Sequence, residues 1–357
     1  MTFPAIAPDD LLSRLAPPQG PVRVLIDTDT ANEIDDQYAI AWALLAGDRI
    51  KVEAITAEPF SFRHHLPALR AAEEALRKGR DLPEHMVGGF QGWIRRLHAQ
   101  GRSVDDLDRE LVTPDVGMEL SYQEILRVRD ACGADTPVLR GAPRYAAHDG
   151  DIVESESVQA IIDLAKSGGG DPLYIAAMGC VTNISAALWR APEIARDIVV
   201  VWTSAYPSHA PHSVRPSLNL VQDIPSSRML FDCGVPLVYL PGYHVGAQLK
   251  ISLPEMERFV AGRGAIGDLL HGLYTDNPLH RMFALTDTAR RTWVIWDIIN
   301  IAWLIEPDWV PTFLTTSPVL TDDLHWRKDE ARHMIREAHD VQRDEIFRHF
   351  YDCLPQA

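Results

Sequence analysis

Short apolar runs that alternate with helix-like stretches are the feature that most constrains the fold of this chain. Six of these runs are predicted to be strands: VRVLID, KVEAITA, TPVLRGA, PLYIAAMG, IVVVWT and VPLVYLPG. Stretches with helical periodicity lie between them: DDQYAIAWALLAG, MELSYQEILRVRDACG, ESVQAIIDLAKSGGG and TNISAALWRAPEIARD. The alternation predicts an α/β fold with a mainly parallel central sheet that helices cover on both faces, in the Rossmann-like manner.

The segment from about residue 58 to residue 117 breaks this alternation. It contains FRHHLP, a predicted helix ALRAAEEALRKG and the basic piece GGFQGWIRRLHAQGR. Because no linker marks an independent unit, we interpret the segment as an inserted cap within a single domain of 357 residues. The charged tail from Asp322 to Leu354 is predicted to be helical.

Composition and charge argue against several function classes. The formal net charge of −16 argues against nucleic acid and anionic membranes as partners. No apolar run approaches the roughly 18 residues that cross a bilayer, and the N-terminus lacks the basic start of a secretory signal. Four scattered cysteines that form no metal-binding pair indicate reduced thiols of a cytoplasmic protein: Cys132, Cys180, Cys233 and Cys353.

The acidic segment DTDTANEIDD, residues 27–36, follows the first predicted strand and enters the next helix. Ligands of parallel sheets bind at this end of the strands. A favourable helix dipole accounts for Asp35 and Asp36 but not for the whole cluster. Two carboxylates about 4 Å apart repel by roughly 4 kcal/mol at an effective dielectric constant near 20, so a bound cation is favoured. Oxygen donors without nearby His or Cys suit Ca²⁺ or Mg²⁺.

Three metal-binding designs place acidic residues in such a loop. An EF-hand requires glycine at its sixth position, where this chain has Asn32. A phosphatase of the haloacid dehalogenase type has DxD after its first strand, but usually Thr or Val in place of Ala31, and it leaves the DD pair unexplained. The third design is DxD, a short loop and a DD pair that enters a helix. VLIDTDTANEIDDQYAIAWALL closely resembles this signature of the nucleoside hydrolase family.

Further segments resemble motifs of the same family, in the family's order: VEAITA (second strand), TPVLRGAPR (PVxxGA), YIAAMGCVTNISAAL (GPLTNIA), SLNLVQDIPSSRMLF (EFNxxxDPEAA) and VIWDIINIAWLIEP (aspartate-bearing helix). The resemblance implies a hydrolase that cleaves the N-glycosidic bond of a ribonucleoside or related N-ribosyl compound, releasing ribose and base. It also implies a Ca²⁺ cofactor. We expect a homo-oligomer, either a dimer or a tetramer, that acts on a small-molecule nucleoside.

The resemblance also implies a role for each matching residue. The calcium donors are three carboxylates and one backbone carbonyl: Asp29, Asp36, Asp297 and Met178. Asp29 also resembles the general base that deprotonates the attacking water. Carboxylates suit this reaction because bond cleavage builds positive charge on the sugar.

The substrate contacts that the resemblance implies come from Asp35 and Asn219, which resemble residues that hold ribose hydroxyls. Asp27 would support the acidic loop. We further predict that Trp296 faces the base and stacks on it, with Trp202 or an aromatic residue of the insertion such as Phe60 or Trp93. His64 and His65 are predicted to be exposed.

Several positions depart from the family pattern. The loop between DxD and DD is two residues longer, so Asn32 and Glu33 have no counterpart. Ser217 replaces a Glu that usually holds the 5′-hydroxyl, and Trp296 replaces a His proposed to protonate the leaving base. These departures indicate a divergent member whose substrate is an unusual nucleoside or another ribosyl compound.

Two alternatives remain open from the sequence. One is a Mg²⁺-dependent phosphatase of the haloacid dehalogenase type that uses Asp27 as its nucleophile. The other is a non-catalytic sugar-binding protein on the same fold.

Overall fold

Twelve strands occur in the computed structural model, which describes residues 3–80 and 90–356. Eight of them form the central sheet: β1 (Val22–Thr28), β2 (Ile50–Ala57), β3 (Val138–Leu139), β4 (Leu173–Ala177), β5 (Ile198–Ser204), β6 (Leu237–Pro241), β9 (Thr312–Thr316) and β12 (Met334–Ala338). The remaining strands form two hairpins: β7 (Lys250–Ser252) with β8 (Thr292–Val294), and β10 (Val319–Leu320) with β11 (Trp326–Arg327).

The strand order across the sheet is β3-β2-β1-β4-β5-β6-β12-β9. All neighbours pair in parallel except β9, which is antiparallel to β12. This arrangement confirms the predicted α/β class with a mainly parallel sheet. The order reverses between β1 and β4, and the crevice beyond the carboxyl ends of such strands is where α/β proteins bind ligands.

Helices surround the sheet on both faces: α1 (Pro8–Leu15), α2 (Asp35–Leu45), α3 (Leu66–Arg77), α4 (Phe90–Ala99), α5 (Val104–Glu110), α6 (Pro114–Ala131), α7 (Glu156–Lys166), α8 (Thr182–Arg190), α9 (Leu218–Val221), α10 (Ile224–Asp232), α11 (Leu253–Glu255), α12 (Gly264–Thr275), α13 (Pro278–Met282), α14 (Ile298–Ile305) and α15 (Arg343–Cys353). None of the described helices has the length and apolar character needed to cross a bilayer.

Two apolar clusters, one on each face of the sheet, explain why the central strands contain continuous apolar runs instead of alternating apolar and polar residues. Successive side chains of a strand point to opposite faces. In β1, Val24 and Ile26 belong to one cluster and Leu25 to the other. Because both faces are covered, every residue of β1 except the half-buried Arg23 lies in the interior.

The segment from 58 to 113, which we call the cap, contains α3, α4 and α5. Its apolar residues form a third cluster that is separate from the two sheet clusters and also includes Leu279 and Ala284. Helix α6 instead packs on α2 and β2, so the carboxyl-terminal part of the predicted insertion belongs to the layer that covers the sheet. The interpretation of the chain as a single domain with an insertion at 58–117 stays a prediction.

The tail between Asp322 and Leu354 differs from the helix predicted there. It contains β11 and β12, and only α15 is helical. The charged residues of β12 are satisfied by tertiary contacts: Arg336 donates to the Leu15 carbonyl, and Glu337 accepts the Ser208 amide at 2.8 Å. Pairing with β6 and β9 therefore overrides the helical tendency of this charged sequence.

Candidate functional site

The acidic loop between β1 and α2 folds back at the carboxyl end of the sheet. Ala31 adopts a left-handed conformation with φ of 81°, and the Asn32 amide donates to the Asp29 carbonyl at 3.3 Å. Helix α2 then begins at Asp35. This turn places residues from both ends of the loop at the point where the strand order reverses.

Four buried carboxylates meet there. Single carboxylate oxygens of Asp35, Asp36 and Asp297 lie within 4.8 Å of one another. Asp29 is equally buried at 1% exposure. Burial raises the pKa of all four groups, and neighbouring carboxylates raise it further. As anions, these groups would lose hydration and repel one another.

The donor set fits a hard cation. One oxygen each of Asp29, Asp35 and Asp297 is buried without a hydrogen-bond partner in the described part of the chain. Asp36 accepts a hydrogen bond from the Thr28 hydroxyl. Unpartnered buried carboxylate oxygens are costly unless a cation binds them, and an all-oxygen set matches the preference of Ca²⁺ and Mg²⁺.

Met178 and Asn219 lie together beside this cluster. The Asn219 side-chain amide donates to the Met178 carbonyl at 2.7 Å and to the Thr203 carbonyl at 3.1 Å. Met178 directly follows β4, whereas Asn219 belongs to the short helix α9. The contact leaves a second lone pair on the Met178 carbonyl and keeps the amide oxygen of Asn219 as an acceptor.

Asn300 holds the helix that follows Asp297. Its side-chain amide donates to the carbonyls of Ala177 at 3.0 Å and Val201 at 2.8 Å, and its oxygen accepts from the Thr203 hydroxyl. These bonds tie the start of α14 to the ends of β4 and β5. Sequence reasoning missed Asn300, although a polar residue in the apolar run IINIAWLI was a usable signal.

Asp27 lies behind the acidic loop. It accepts from the Thr56 hydroxyl at 2.6 Å and from the Asn183 amide group at 3.0 Å. Next to it is the buried Glu58, which accepts from the Asn183 backbone amide at 2.7 Å; burial raises the pKa of both carboxyls. Asp27 does not line the cavity described next, which argues against its use as a phosphatase nucleophile.

A cavity of about 330 Å³ opens beside the carboxylate cluster, which is within the size range of small-molecule sites. Polar residues form its floor: Asp29, Asn32, Glu33, Asp35, Asn219 and Asp297, together with Met178. Aromatic residues and one arginine form much of the remaining wall: Tyr243 and Trp296 from the main body, Phe62, His65, Phe90, Trp93 and Arg96 from the cap, and Phe283.

Two predicted aromatic contacts are corrected by this geometry. Trp202 does not line the cavity; its indole N–H donates to the Gly179 carbonyl at 3.0 Å, and its ring packs 5.8 Å from that of Phe231. Strand alternation is the reason, because Trp202 points into the apolar cluster on the opposite side from Val201. Phe60 is also buried away from the cavity.

The other aromatic predictions have different outcomes. Trp296 and Trp93 do line the cavity. Trp296 packs edge-on against Tyr243, with ring centres 5.6 Å apart.

His64 and His65, which are predicted to be exposed, are half-buried and buried, respectively. Burial and the neighbouring His64 lower the pKa of His65 to about 3, which favours its neutral form.

Three residues in or beside the cavity have no role in the sequence predictions but contact its floor or Asp29: Asn32, Glu33 and Gln222. Asn32 and Glu33, the two extra loop residues, both line the cavity, and the buried side-chain amide oxygen of Asn32 has no partner in the described part of the chain. Gln222 donates to Asp29 at 3.3 Å while accepting from the Ser61 amide at 2.7 Å. Its position three residues after Asn219 was the available signal.

Comparison with known proteins gives one sequence relative. No protein-family model matches the chain. An uncharacterised protein of Schizosaccharomyces pombe is 23% identical over 193 residues, which cover 49% of this chain and 61% of that protein. The match therefore spans less than two thirds of the relative's length.

Solved structures resemble the whole chain. A plant nucleoside hydrolase has a TM-score of 0.62 at 15% identity, covering 94% of this chain and 100% of that one. A purine-preferring ribonucleoside hydrolase from Gardnerella vaginalis has a TM-score of 0.62 at 17% identity, with 93% and 97% covered. The type III effector protein XopQ, complexed with adenosine diphosphate ribose, has a TM-score of 0.52 at 16% identity, with 98% of each chain covered. The likeness shows that the chain has the nucleoside hydrolase fold, as its motifs predict.

Proposed function

We propose that this chain, which has the nucleoside hydrolase fold, is a divergent member of that family and hydrolyses the N-glycosidic bond of a ribonucleoside or related N-ribosyl compound. The observation that carries the proposal is the buried carboxylate cluster at the strand-order reversal, which opens directly into a cavity of small-molecule size. A ribose at the floor of this cavity would develop its positive charge next to carboxylates, which stabilise it.

The proposed cofactor is Ca²⁺. Three carboxylates and one carbonyl would hold it: Asp29, Asp36, Asp297 and Met178. When bound, Ca²⁺ would neutralise the carboxylates and make a coordinated water more acidic. Asp35 lies within the same cluster and is proposed to accept a ribose hydroxyl on the cavity side.

Asp29 is the proposed general base. One of its oxygens accepts from Gln222 at 3.3 Å, and the other has no partner in the described residues. The free oxygen is therefore available to take a proton from the attacking water. Asp35 and the carbonyl oxygen of Asn219 would hold the ribose hydroxyls, and Asp27 would support the loop from behind.

The central experiment measures reducing-sugar release from a panel of nucleosides, with calcium and after chelation. We expect turnover that needs calcium and about one tightly held Ca²⁺ per chain by elemental analysis. Asp29→Asn should abolish turnover, whereas the exposed control Asp149→Asn should retain it. Full activity in chelated protein that contains no divalent metal would refute the proposal.

Trp296 is proposed to stack on the leaving base, because it lines the cavity and an indole cannot protonate a base near neutral pH. Trp296→Ala should lose much activity on a purine nucleoside but little on nitrophenyl riboside, whose leaving group needs no help. Aromatic stacking contributes about 0.5–1.5 kcal/mol beyond burial, so the expected difference between the two substrates is about two- to tenfold. Equal losses on both substrates, with a lower melting temperature, would assign Trp296 to packing.

Ribosyl binding without turnover is the second candidate, favoured by the effector structure that contains adenosine diphosphate ribose. Calorimetric binding of a ribosyl compound by protein that hydrolyses none of the panel would support it.

We also propose that the protein is cytoplasmic and forms a homo-oligomer, either a dimer or a tetramer. The oligomer is favoured because Phe313 and Leu314 are exposed on β9 at the edge of the sheet. Light scattering that gives a monomer mass would contradict this.

A further inference from the structure

Arg96 is the one arginine or lysine among the residues that line the cavity in the described part of the chain. Its Nε–H donates to the Phe283 carbonyl at 2.9 Å, which orients the guanidinium group. It lies one helical turn after Trp93, at the aromatic cap end of the cavity. Among the described residues of the wall, the other basic side chain is His65, whose pKa is lowered to about 3 by burial and by His64.

Four cap arginines other than Arg96 form ion pairs with carboxylates, including Arg109 with Asp106. Arg63 and Arg70 both pair with Asp108, and Arg102 pairs with Glu110. Within residues 3–80 and 90–356, no carboxylate lies at ion-pair distance from Arg96. Arg96 is an exposed residue, and partial burial of its guanidinium group together with the cation Arg291 lowers its pKa. A guanidinium group oriented beside a cavity without a carboxylate partner is suited to bind an anion.

The cavity is therefore polarised, with carboxylates at the floor and a cation at the cap. An anionic group cannot lie against the floor without strong repulsion from its carboxylates, whereas the cap end attracts it. We propose that Arg96 determines specificity by binding an anionic group of the ribosyl substrate, a phosphate or a carboxylate, while the ribose occupies the floor. This inference rests on the proposed function and narrows its substrate class.

Two sources of the anionic group are distinguishable: a phosphate attached to the sugar, or a carboxylate attached to the base. The test compares kcat/KM within two matched pairs, inosine with inosine 5′-monophosphate and uridine with orotidine. The variants are Arg96→Gln and Arg96→Lys. Arg109→Gln is the control, since Arg109 is a cap arginine that pairs with Asp106 on its own exposed helix.

We expect Arg96→Gln to lower kcat/KM for one anionic substrate by about tenfold or more, mainly through KM, because charge-assisted hydrogen bonds are lost. The neutral partner of the pair should be unaffected, and the pair that responds identifies the source of the anion. Arg96→Lys should recover part of the loss, and added salt should weaken only the anionic substrate. Equal losses on neutral and anionic substrates, or no loss, would overturn the inference.

A binding experiment separates this inference from the proposed function. In the presence of calcium, calorimetry compares ribose with ribose 5-phosphate, and uracil with orotate, for the wild type and Arg96→Gln. Tighter binding of one anionic ligand that Arg96→Gln abolishes would support the inference even if no nucleoside is hydrolysed. Equal affinity within both pairs in the wild type would overturn it, whatever the outcome for turnover.

Discussion

At the scale of single residues, the site depends on how tightly Asp29 is held. Gly179 lies against the Asp29 side chain: a Cβ atom added to Gly179 would be 2.9 Å from the Cγ atom of Asp29. Gln222 fixes one carboxylate oxygen from the other direction. These two contacts restrict the orientation of the proposed base, whose second oxygen has no hydrogen-bond partner among the described residues.

Replacing Gly179 with alanine should displace Asp29 without removing any donor. We expect kcat/KM to fall by about 100-fold, because a shift of roughly 1 Å at a reacting group has effects of that size. Steady-state kinetics and circular dichroism test this together. Gly272→Ala is the matched control, since nothing lies within 4 Å of its added Cβ, and it should keep full activity. An active Gly179→Ala protein would show that the loop tolerates the displacement.

Replacing Gln222 with leucine should change the pH dependence as well as the rate. The Gln222 hydrogen bond lowers the pKa of Asp29, opposing the effect of burial. Its loss raises that pKa further, so the acidic limb of the kcat profile should move to higher pH. A merely structural role would lower kcat or stability with no shift of this limb, and that result would contradict the positioning role.

The acidic residues illustrate what sequence can and cannot predict at this scale. The crowded charge in DTDTANEIDD predicts a cation site, and the structure brings Asp35 and Asp36 of this segment together with the distant Asp297. The separate position of Asp27, behind the loop with Glu58, depends on the register between β1 and its neighbours. The direction of Trp202 is not contained in IVVVWT, because both faces of β5 are buried and the run is apolar on each of them.

At the scale of elements, α14 brings the third proposed calcium carboxylate to a loop that lies far away in sequence. Asn300 makes this connection through the carbonyls of β4 and β5. Replacing Asn300 with leucine removes the hydrogen bonds that its amide donates to the Ala177 and Val201 carbonyls, and it removes the acceptor of the Thr203 hydroxyl. We expect the free energy of unfolding to fall by about 3 kcal/mol, together with weaker calcium binding. Denaturant unfolding and calcium titration measure both effects, and unchanged calcium affinity would mean that Asp297 is positioned without this anchor.

Elements differ in how far their own sequence specifies them. Helix α2 and strands β1, β4 and β5 match the sequence prediction because each is enclosed by the fold and therefore contains a continuous apolar run. Strand β12 was missed because its charged residues are satisfied only by distant partners, such as Ser208 and the Leu15 carbonyl. No local pattern contains that information, so the helical prediction for the tail was wrong there.

At the scale of the whole molecule, the buried acidic cluster couples stability to pH and calcium. Burial and Asp36 raise the pKa of Glu33 to about 7, above its value in an unfolded chain. A carboxyl group whose pKa is higher in the folded state stabilises the fold fully at pH values below its unfolded-state pKa. This stabilisation is lost as the pH rises through the folded-state pKa. The melting temperature of chelated protein should therefore fall from about pH 5 to about pH 8.

Calcium should reverse this dependence because it favours the ionised carboxylates, so its stabilising effect should be largest at the alkaline end. Melting curves across pH, with calcium and with chelator, measure both effects. Glu33→Gln removes one raised group and should flatten the slope of the chelated protein. A chelated protein whose melting temperature instead rises with pH would contradict the raised pKa values.

The division of the proposed calcium ligands between the acidic loop and the start of α14 has a consequence for biosynthesis. A ribosome releases Asp29 and Asp36 early, whereas Asp297 emerges only after most of the sheet has been translated. Until then the loop carries its negative charges without the carboxylate that completes the cage. We therefore expect a nascent chain to bind calcium tightly only after α14 has been synthesised. A polypeptide truncated before α14 should not retain the ion.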